Sequence, residues 1–460
     1  MPHATRSLAA KDIAYNLHPY TDLLTHEQSG PLIMTRGQGI YLWDSEDKPY
    51  IDGFAGLWCT SLGFSEKRLI DAATRQLKTL PFSHTFAHRS TIPVIELAER
   101  LIRMAPEPMT KVYFVNSGSE AVDTAMKLVW YYNNALGRPQ KKKIISRKRA
   151  YHGVTIAAGS LTALPFVQND FDLPIGRVLH TDTPHYYRHA EPGESEEAFS
   201  GRLATSLEQL IEREGPDTVA AFIAEPVMGA GGLLVPPRGY FEKVQEVLRR
   251  HDVLMIADEV ICGFGRTGNM WGSQTYNIRP DMITCAKQLS SAYVPIGAVM
   301  ISDVIYEALR TLSHKHGVFG TGNTYGGHPV AAAVALETLK IYEERDIVGA
   351  VRRLAPRFQQ RVKGLGDHPL VGDARGVGLL GGLELVADKD SKQSFPVQAK
   401  AAPRVMTAAL RHGLIVRQLP GDTVGICPPL IIADKEIDDL FDRLGRALDE
   451  AHSELISAAA

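Results

Sequence analysis

Short apolar runs alternate with amphipathic segments through the middle of the chain, and this alternation limits the possible folds more than any other feature of the sequence. The runs are rich in Val, Ile and Phe, and most end in polar residues or glycine, which is typical of buried strands in a mainly parallel sheet. They are KVYFVN (111–116), KKIISR (142–147), TVAAFIAE (218–225), VLMIADEV (253–260), MITCAK (282–287) and GAVMIS (297–302). Helical patterns such as residues 239–251 lie between them. The sequence predicts a doubly wound α/β core that binds its ligand at the carboxyl ends of the strands.

The two ends of the chain have an α+β pattern instead. The C-terminal part holds helical stretches at 330–344, 350–363 and 403–412, interleaved with the short strands GLLGGLELV (378–386) and LIVRQL (414–419). We therefore predict a large sheet domain over residues 70–335 and a smaller domain assembled from residues 1–69 and 336–460.

Composition limits the partners. The formal net charge of −2 is spread along the chain without a basic patch, so we expect neither a nucleic acid nor a membrane as partner. The N-terminal residues lack the apolar core of a signal peptide. Four scattered cysteines without metal-like spacing favour reduced thiols and no metal site, and we expect a cytoplasmic protein.

Residues 116–120, with the sequence NSGSE, follow a predicted strand and open a predicted helix. Ser117, Gly118 and Ser119 would present free backbone N–H groups at the positive end of the helix, which suits a phosphate. Ser117 and Glu120 also have the spacing of a capping box, so the same residues are compatible with a well-capped helix alone.

Asp258 ends a strongly apolar run, and a buried carboxylate needs a partner. That partner could be a ligand's protonated ring nitrogen, or the side chain of Arg266 in a purely structural ion pair.

Residues 263–268 match the dinucleotide pattern GxGxxG, but neither a helix nor a correctly spaced acid follows them. We therefore interpret them as a glycine-rich turn and not as a nucleotide site.

Lys287 ends another apolar run. Partial desolvation would lower its pKa and make its amine a nucleophile toward a carbonyl, although an isolated lysine is more often a solvated loop residue. A phosphate-binding turn, a strand-end acid and a strand-end lysine together offer contacts for the phosphate, ring nitrogen and aldehyde of pyridoxal 5′-phosphate (PLP).

Several motifs here resemble the class III aminotransferases of PLP fold type I, particularly the amine:pyruvate (omega) transaminase branch. They are IDGFAGLWC (51–59), FVNSGSEAVDTAMKLV (114–129), YHGVT (151–155), AFIAEPVMGAGG (221–232), ADEVICGFGRTG (257–268), AKQLSS (286–291) and GNTYGGHPV (322–330). The resemblance extends from residue 18 to residue 432 and implies a mainly parallel sheet flanked by helices, with a smaller α+β domain.

The resemblance also implies roles for individual residues. Lys287 would form the Schiff base with PLP and shuttle the substrate proton, and Asp258 would hold the pyridine nitrogen protonated. Thr324 would reach the phosphate from a second subunit, so a homodimer, alone or as half of a tetramer, would share its active sites. The other implied cofactor residues are Ser117, Gly118, Ser119, Tyr151, Glu225 and Val260, with Tyr151 stacking on the ring.

Four further positions bear on the substrate. Arg417 matches a mobile arginine that pairs with a keto acid's carboxylate and swings aside for an amine that lacks one. Trp58 matches an aromatic wall of the pocket, with Tyr20 and Phe86 as neighbours. A surface arginine and a core tryptophan would give the same sequence pattern.

The resulting hypothesis is ping-pong transamination between a primary amine or omega-amino acid and a keto acid such as pyruvate. A decarboxylase, racemase or aminomutase could use the same cofactor contacts, and a non-catalytic scaffold could keep the fold.

Overall fold

A seven-stranded sheet forms the centre of this computed structural model, which describes residues 7–459. The strands are β1 Met34–Gln38, β2 Tyr41–Asp44, β3 Pro49–Asp52, β4 Met109–Val115, β5 Lys143–Arg147, β6 Val178–Thr181, β7 Val219–Ala224, β8 Leu254–Asp258, β9 Met282–Cys285, β10 Gly297–Ser302, β11 Val371–Val377, β12 Leu380–Leu385, β13 Leu414–Ile415, β14 Arg417–Leu419 and β15 Thr423–Ile426. The helices are α1 Leu8–Tyr15, α2 Leu23–Ser29, α3 Ala55–Trp58, α4 Lys67–Thr79, α5 Ile92–Met104, α6 Gly118–Ala135, α7 Ile156–Leu161, α8 Pro165–Gln168, α9 Tyr186–His189, α10 Glu196–Glu214, α11 Tyr240–Arg250, α12 Gly272–Thr275, α13 Asp303–His316, α14 Pro329–Glu344, α15 Ile347–Gly364, α16 Ala401–Arg411 and α17 Asp434–Ala459.

The central sheet has the strand order β4-β10-β9-β8-β7-β5-β6. Strand β10 runs antiparallel to both of its neighbours, and the remaining pairs are parallel. Every residue of β7, β9 and β10 is buried, which explains their continuous apolar sequences: helices cover both faces of the sheet. The predicted α/β fold with a mainly parallel sheet is confirmed.

Alternate residues of each central strand pack against helices on opposite faces. In β7, Ala221 and Ile223 pack in one apolar cluster with α6, whereas Phe222 and Ala224 pack in the other with α10 and α11. This period of two fixes which strand residues meet each helix layer. It leaves the strand ends to carry the polar residues.

Two four-stranded sheets flank the central one, with orders β1-β2-β3-β13 and β11-β12-β15-β14. In the first, β13 from the C-terminal part runs parallel to β3 from the N-terminal part, so the two chain ends share a sheet. The division at residues 69 and 335 stays a prediction.

The prediction of a single strand over LIVRQL was wrong. Residues 414–415 form β13 and pair with β3, whereas 417–419 form β14 and pair with β15. An apolar pattern of six residues shows that a segment is extended, but it does not show that the segment changes partner midway.

Among the described helices, none combines the length and the apolar character needed to cross a membrane.

Candidate active site

A cavity of about 570 Å³ lies where the parallel strands β5, β7, β8 and β9 end. Its lining includes Ser117, Gly118, Ser119, Tyr151, Glu225, Asp258, Val260 and Lys287. These eight residues are far apart in sequence, and parallel strands bring them together because their carboxyl ends share one edge of the sheet.

Lys287 begins a single 3₁₀ turn, Lys287–Ser290, just after β9, and has a positive φ of 46°. Burial lowers the pKa of its amine, and the nearby carboxylate of Asp258 partly opposes that effect. Among the described residues, nothing accepts a hydrogen bond from its Nζ. The amine therefore faces the cavity with no protein partner, held on a backbone conformation that side chains rarely adopt.

Asp258, the last residue of β8, is buried beneath the cavity, with 3% of its surface exposed. Its Oδ2 lies 2.6 Å from Nδ1 of His152. Its Oδ1 accepts hydrogen bonds from the backbone N–H of Val260 (3.1 Å) and from the hydroxyl of Thr284 (3.2 Å). The alternative of an ion pair with Arg266 is wrong, because that guanidinium donates to the carbonyl oxygen of Pro428.

The turn 116–120 begins helix α6. The hydroxyl of Ser117 accepts a hydrogen bond from the N–H of Glu120 (3.1 Å), which leaves the N–H groups of Gly118 and Ser119 without an acceptor among the described residues. A Cβ on Gly118 would lie 3.0 Å from Cγ1 of Val260, so the turn packs tightly against the end of β8. The arrangement places two free donors at the positive end of an 18-residue helix.

Glu120 does not close the predicted capping box. Its Oε2 accepts hydrogen bonds from the backbone N–H of Asn116 (2.7 Å) and from the side chain of Asn323 (3.2 Å). The second bond ties the turn to the loop that carries Thr324.

Glu225 and Tyr151 also line the cavity. Nη2 of the buried Arg147 donates to Oε2 of Glu225 (3.1 Å) and to its carbonyl oxygen (2.7 Å), and Oε1 accepts from the N–H of Tyr151 (3.1 Å). Burial raises the pKa values of both Glu225 and Tyr151. Glu225 therefore fixes the backbone on which the Tyr151 ring is carried.

Arg417, the first residue of β14, is half-buried, with its guanidinium carbon 6.0 Å from the centre of the Phe54 ring. Within residues 7–459, no carboxylate forms an ion pair with it. Burial lowers its pKa, while the nearby hydroxyls of Tyr151 and Tyr20 have the opposite effect. Arg417 is thus a half-buried cation beside Tyr151 without a protein counter-ion.

Arg417 does not line the cavity itself, and neither do the other four predicted residues. Trp58 is buried against Phe54, with ring centres 4.2 Å apart, although its neighbours Leu57 and Cys59 do line the cavity. The hydroxyl of Tyr20 donates to that of Tyr151 (3.4 Å). Phe86 and Thr324 are exposed on the surface.

His152 and Arg147 were missed by sequence reasoning. His152 lines the cavity beside Asp258, and its Nε2 is buried without a hydrogen-bond partner among the described residues. The position of His152 next to Tyr151 in the YHGVT motif could have indicated a role at the site. Nothing in the sequence distinguishes Arg147 from an ordinary residue at the end of a strand.

A family model described as aminotransferase class III matches residues 24–448. The chain belongs to the class III aminotransferases. Among solved structures, the omega transaminase of Pseudomonas jessenii in complex with PMP is 53% identical and covers 98% of this chain, with 99% of its own length covered and a TM-score of 0.96.

Curated relatives of this aminotransferase include gamma aminobutyrate transaminase 1, mitochondrial, of Solanum lycopersicum, which is 51% identical over 94% of this chain and 84% of its own length. Vanillin aminotransferase of Capsicum annuum is 51% identical over 91% of this chain and 92% of its own length. These findings confirm the predicted family and a PLP-dependent aminotransferase activity.

The donor set of the cavity fits PLP. Free N–H groups at the start of α6 suit its phosphate, a buried carboxylate suits its protonated ring nitrogen, and an unpartnered amine suits its aldehyde. All three groups line the same cavity of this aminotransferase.

Proposed function

We propose that this aminotransferase moves the amino group of a primary amine or an omega-amino acid to a keto acid such as pyruvate, in two alternating half-reactions at one site. The observation that carries the proposal is Arg417, a half-buried guanidinium without a carboxylate partner among the described residues. Such a cation can pair with the carboxylate of an acid substrate, and a long flexible side chain can leave when the substrate has none.

In the proposed site, the N–H groups of Gly118 and Ser119 and the hydroxyls of Ser117 and Ser119 hold the PLP phosphate. Asp258, held in place by His152 and Thr284, would pair with the ring nitrogen. When bound, PLP supplies an electron sink for the negative charge that develops on the substrate carbon.

The remaining cofactor contacts come from side chains around the ring. Tyr151 would stack on the ring, Val260 packs against the phosphate turn, and Glu225 keeps Tyr151 in place.

Lys287 moves the proton. Because burial lowers the pKa of its amine, a larger fraction of Nζ is neutral at a given pH than for a solvated lysine. A neutral Nζ can accept the proton released from the substrate carbon and return it at the neighbouring position, which is general base and acid catalysis by one group.

The pocket beyond the cofactor is proposed to be apolar, with Trp58, Tyr20 and Phe86 near the substrate. A variant of the P. jessenii enzyme with substitutions at a tryptophan, a phenylalanine and an arginine is described as engineered for the synthesis of enantiopure bulky amines. The same three residue types stand here as Trp58, Phe86 and Arg417.

The names of the relatives support two kinds of amine donor. Gamma-aminobutyrate carries a carboxylate far from its amine, whereas an amine derived from vanillin carries none. One movable cation in an apolar pocket accommodates both. The family match also favours transamination over the decarboxylase, racemase, aminomutase and scaffold alternatives.

Two variants test this proposal. We expect Lys287→Ala to fold normally and to lose turnover, whereas Lys67→Ala, a control on the exposed face of α4, keeps it. We expect Arg417→Met to raise the KM for pyruvate with 1-phenylethylamine as donor, measured as alanine formed. Full turnover by K287A, or an unchanged KM in R417M, would contradict the assignment.

We also propose a homodimer with shared active sites. Thr324 lies on an exposed loop, and Phe82, Phe86 and Tyr325 expose aromatic surface around it. The rings of Phe82 and Tyr325 are 6.0 Å apart, so they form one patch of the kind that marks an interface. Sedimentation equilibrium should give twice the chain mass, and Tyr325→Asp should weaken the dimer; a monomeric wild type refutes the idea.

A cytoplasmic location remains a further proposal, since the relatives include enzymes named as mitochondrial and chloroplastic. Microscopy of a fluorescent fusion in the native cell would test it.

A further inference from the structure

Arg149 lies two residues before Tyr151 and is absent from the lining of the cofactor cavity. Its half-buried guanidinium makes three contacts. Nε donates to the carbonyl oxygen of Gly231 (2.9 Å), Nη2 donates to that of Pro420 (2.9 Å), and Nη1 lies 3.1 Å from Nδ1 of His185. None of these three partners is a carboxylate, so the guanidinium acts as a fork between backbone segments.

Two of the connected segments belong to the active site. Gly231 follows β7 and Glu225 in the same loop, whereas Pro420 lies in the hairpin that joins β14 to β15, three residues after Arg417. Arg149 therefore connects the cofactor side of the cavity directly to the hairpin that carries Arg417.

The hairpin has few other constraints on its outer side. Strand β14 is the last strand of its sheet and pairs only with β15, through three residues from Arg417 to Leu419. Beyond this pairing, the N–H of Gln418 lies 2.9 Å from the sulfur of Met406, a weak acceptor. Asp422 accepts hydrogen bonds from the N–H groups of Leu385 (3.0 Å) and Ala402 (3.3 Å), both in the C-terminal part of the chain. Within residues 7–459, the Arg149–Pro420 bond is the hydrogen bond that reaches the hairpin from the segment after β5.

The fork is tightly packed. A Cβ on Gly232 would lie 2.7 Å from Nη2 of Arg149, and one on Gly421 would lie 3.1 Å from it. Arg149 itself has a φ of 68°, and its N–H donates to the carbonyl oxygen of Ala163 (3.1 Å). Both ends of the side chain are therefore fixed, so its length sets the distance between the loop and the hairpin.

A second arginine makes the loop a rigid base for this connection. Arg375 donates from Nη2 to the carbonyl oxygen of Gly232 (2.6 Å) and from Nε to that of Leu233 (2.9 Å), and it pairs with Glu384. Glu384 also faces His185 and Arg188. Burial lowers the pKa of Arg149 to about 10; Glu384 opposes this effect, whereas Arg375 and Arg188 add to it. The fork therefore stays charged at neutral pH.

We propose that Arg149 is a positioning residue for the binding of carboxylate substrates. It holds the β14–β15 hairpin in the position from which Arg417 reaches the substrate carboxylate. This inference rests on the proposed role of Arg417. Its consequence is selective, because a substrate without a carboxylate does not use Arg417. Loss of the Arg149 contacts should therefore raise the KM for keto acids and leave the KM for substrates without a carboxylate unchanged.

The experiment compares two acceptors in the holoenzyme, pyruvate and benzaldehyde, with 1-phenylethylamine as donor. The variants are Arg149→Met, which keeps an unbranched apolar stem but removes the donors, and Arg149→Lys, which keeps the charge without the fork. Arg417→Met runs in parallel. The control is Arg352→Met, because Arg352 also donates to a backbone carbonyl, that of Gly268.

We expect R149M to raise the KM for pyruvate at least five-fold and to leave both the KM for benzaldehyde and kcat within two-fold. R149K should lie between R149M and the wild type, and R352M should match the wild type. Hydrogen exchange of the peptide spanning residues 417–423 should be faster in R149M. This measurement reports on the hairpin independently of turnover.

Equal losses with both acceptors, or no loss with either, would overturn the inference, as would unchanged exchange of the hairpin. If R149M does not fold, an R149K enzyme with the wild-type ratio of the two KM values overturns it as well. A selective effect in R417M but not in R149M refutes only the role of Arg149. No selective effect in R417M refutes the proposed function of Arg417, and the role of Arg149 fails with it.

Discussion

Replacing Arg147 by methionine should destabilise the protein strongly, because it leaves Glu225 without its cationic partner. Arg147 and Glu225 expose 1% and 4% of their side chains, and Arg147 contributes two of the hydrogen bonds at this strand end. Removing one partner of a buried ion pair costs about 3–5 kcal/mol, since the remaining charge stays desolvated. We expect a loss of that size in the free energy of unfolding of the PLP-free protein, measured by urea titration.

The double variant R147M/E225Q distinguishes this cause from lost packing. Without a charge at position 225, the penalty of R147M should fall by about 2 kcal/mol or more. Burial already raises the pKa of Glu225, so the folded R147M variant binds a proton more readily than the unfolded chain. Its penalty should therefore shrink as the pH falls from 7.5 to 5.5. A double variant no more stable than R147M, with no dependence on pH, would refute this reasoning.

Two further predictions concern other buried positions. Burial raises the pKa of Glu259 from 4.5 to about 7, so its contribution to stability is present below pH 4.5 and is lost as the pH rises to about 7. Glu259→Gln should therefore gain stability relative to the wild type over that pH range. Urea midpoints of the two proteins that change in parallel with pH would contradict this. Gly118→Ala should weaken PLP binding about ten-fold by pushing on Val260, as measured by dialysis and absorbance. Gly201→Ala is the matched control, because position 201 in helix α10 has open space for a Cβ. This variant should be more stable by up to about 1 kcal/mol and should keep its PLP affinity. Equal PLP affinity in the two variants would contradict the predicted effect of Gly118→Ala.

The sequence predicted the central sheet well, because strands buried on both faces have continuous apolar runs. Strand β10 matched its predicted limits, residues 297–302, and β5, β7 and β8 agreed within two residues at each end. Strand β6 was not predicted, because VLHT is short and contains a histidine.

Residue type and strand position were enough to select Asp258 and Lys287, since parallel strand ends must meet. The partner of Asp258 could not be predicted in the same way. Arg266 lies close to it in sequence, whereas His152 is 106 residues away and meets it only when β5 and β8 enter the same sheet. The fork made by Arg149 is equally invisible in the sequence, because all of its strong acceptors are backbone carbonyls, which every residue has.

The shared sheet of β3 and β13 has a consequence for how this protein is made. About 360 residues separate the two strands, so at 5–20 residues per second the ribosome needs roughly 20–70 seconds to supply β13 after β3 has been synthesised. Throughout that time the edge of β3 that β13 will cover has no native partner and can pair with a strand of another chain. Nascent chains of this enzyme should therefore depend on chaperones that bind near their N-terminus, and slower translation should increase aggregation during synthesis.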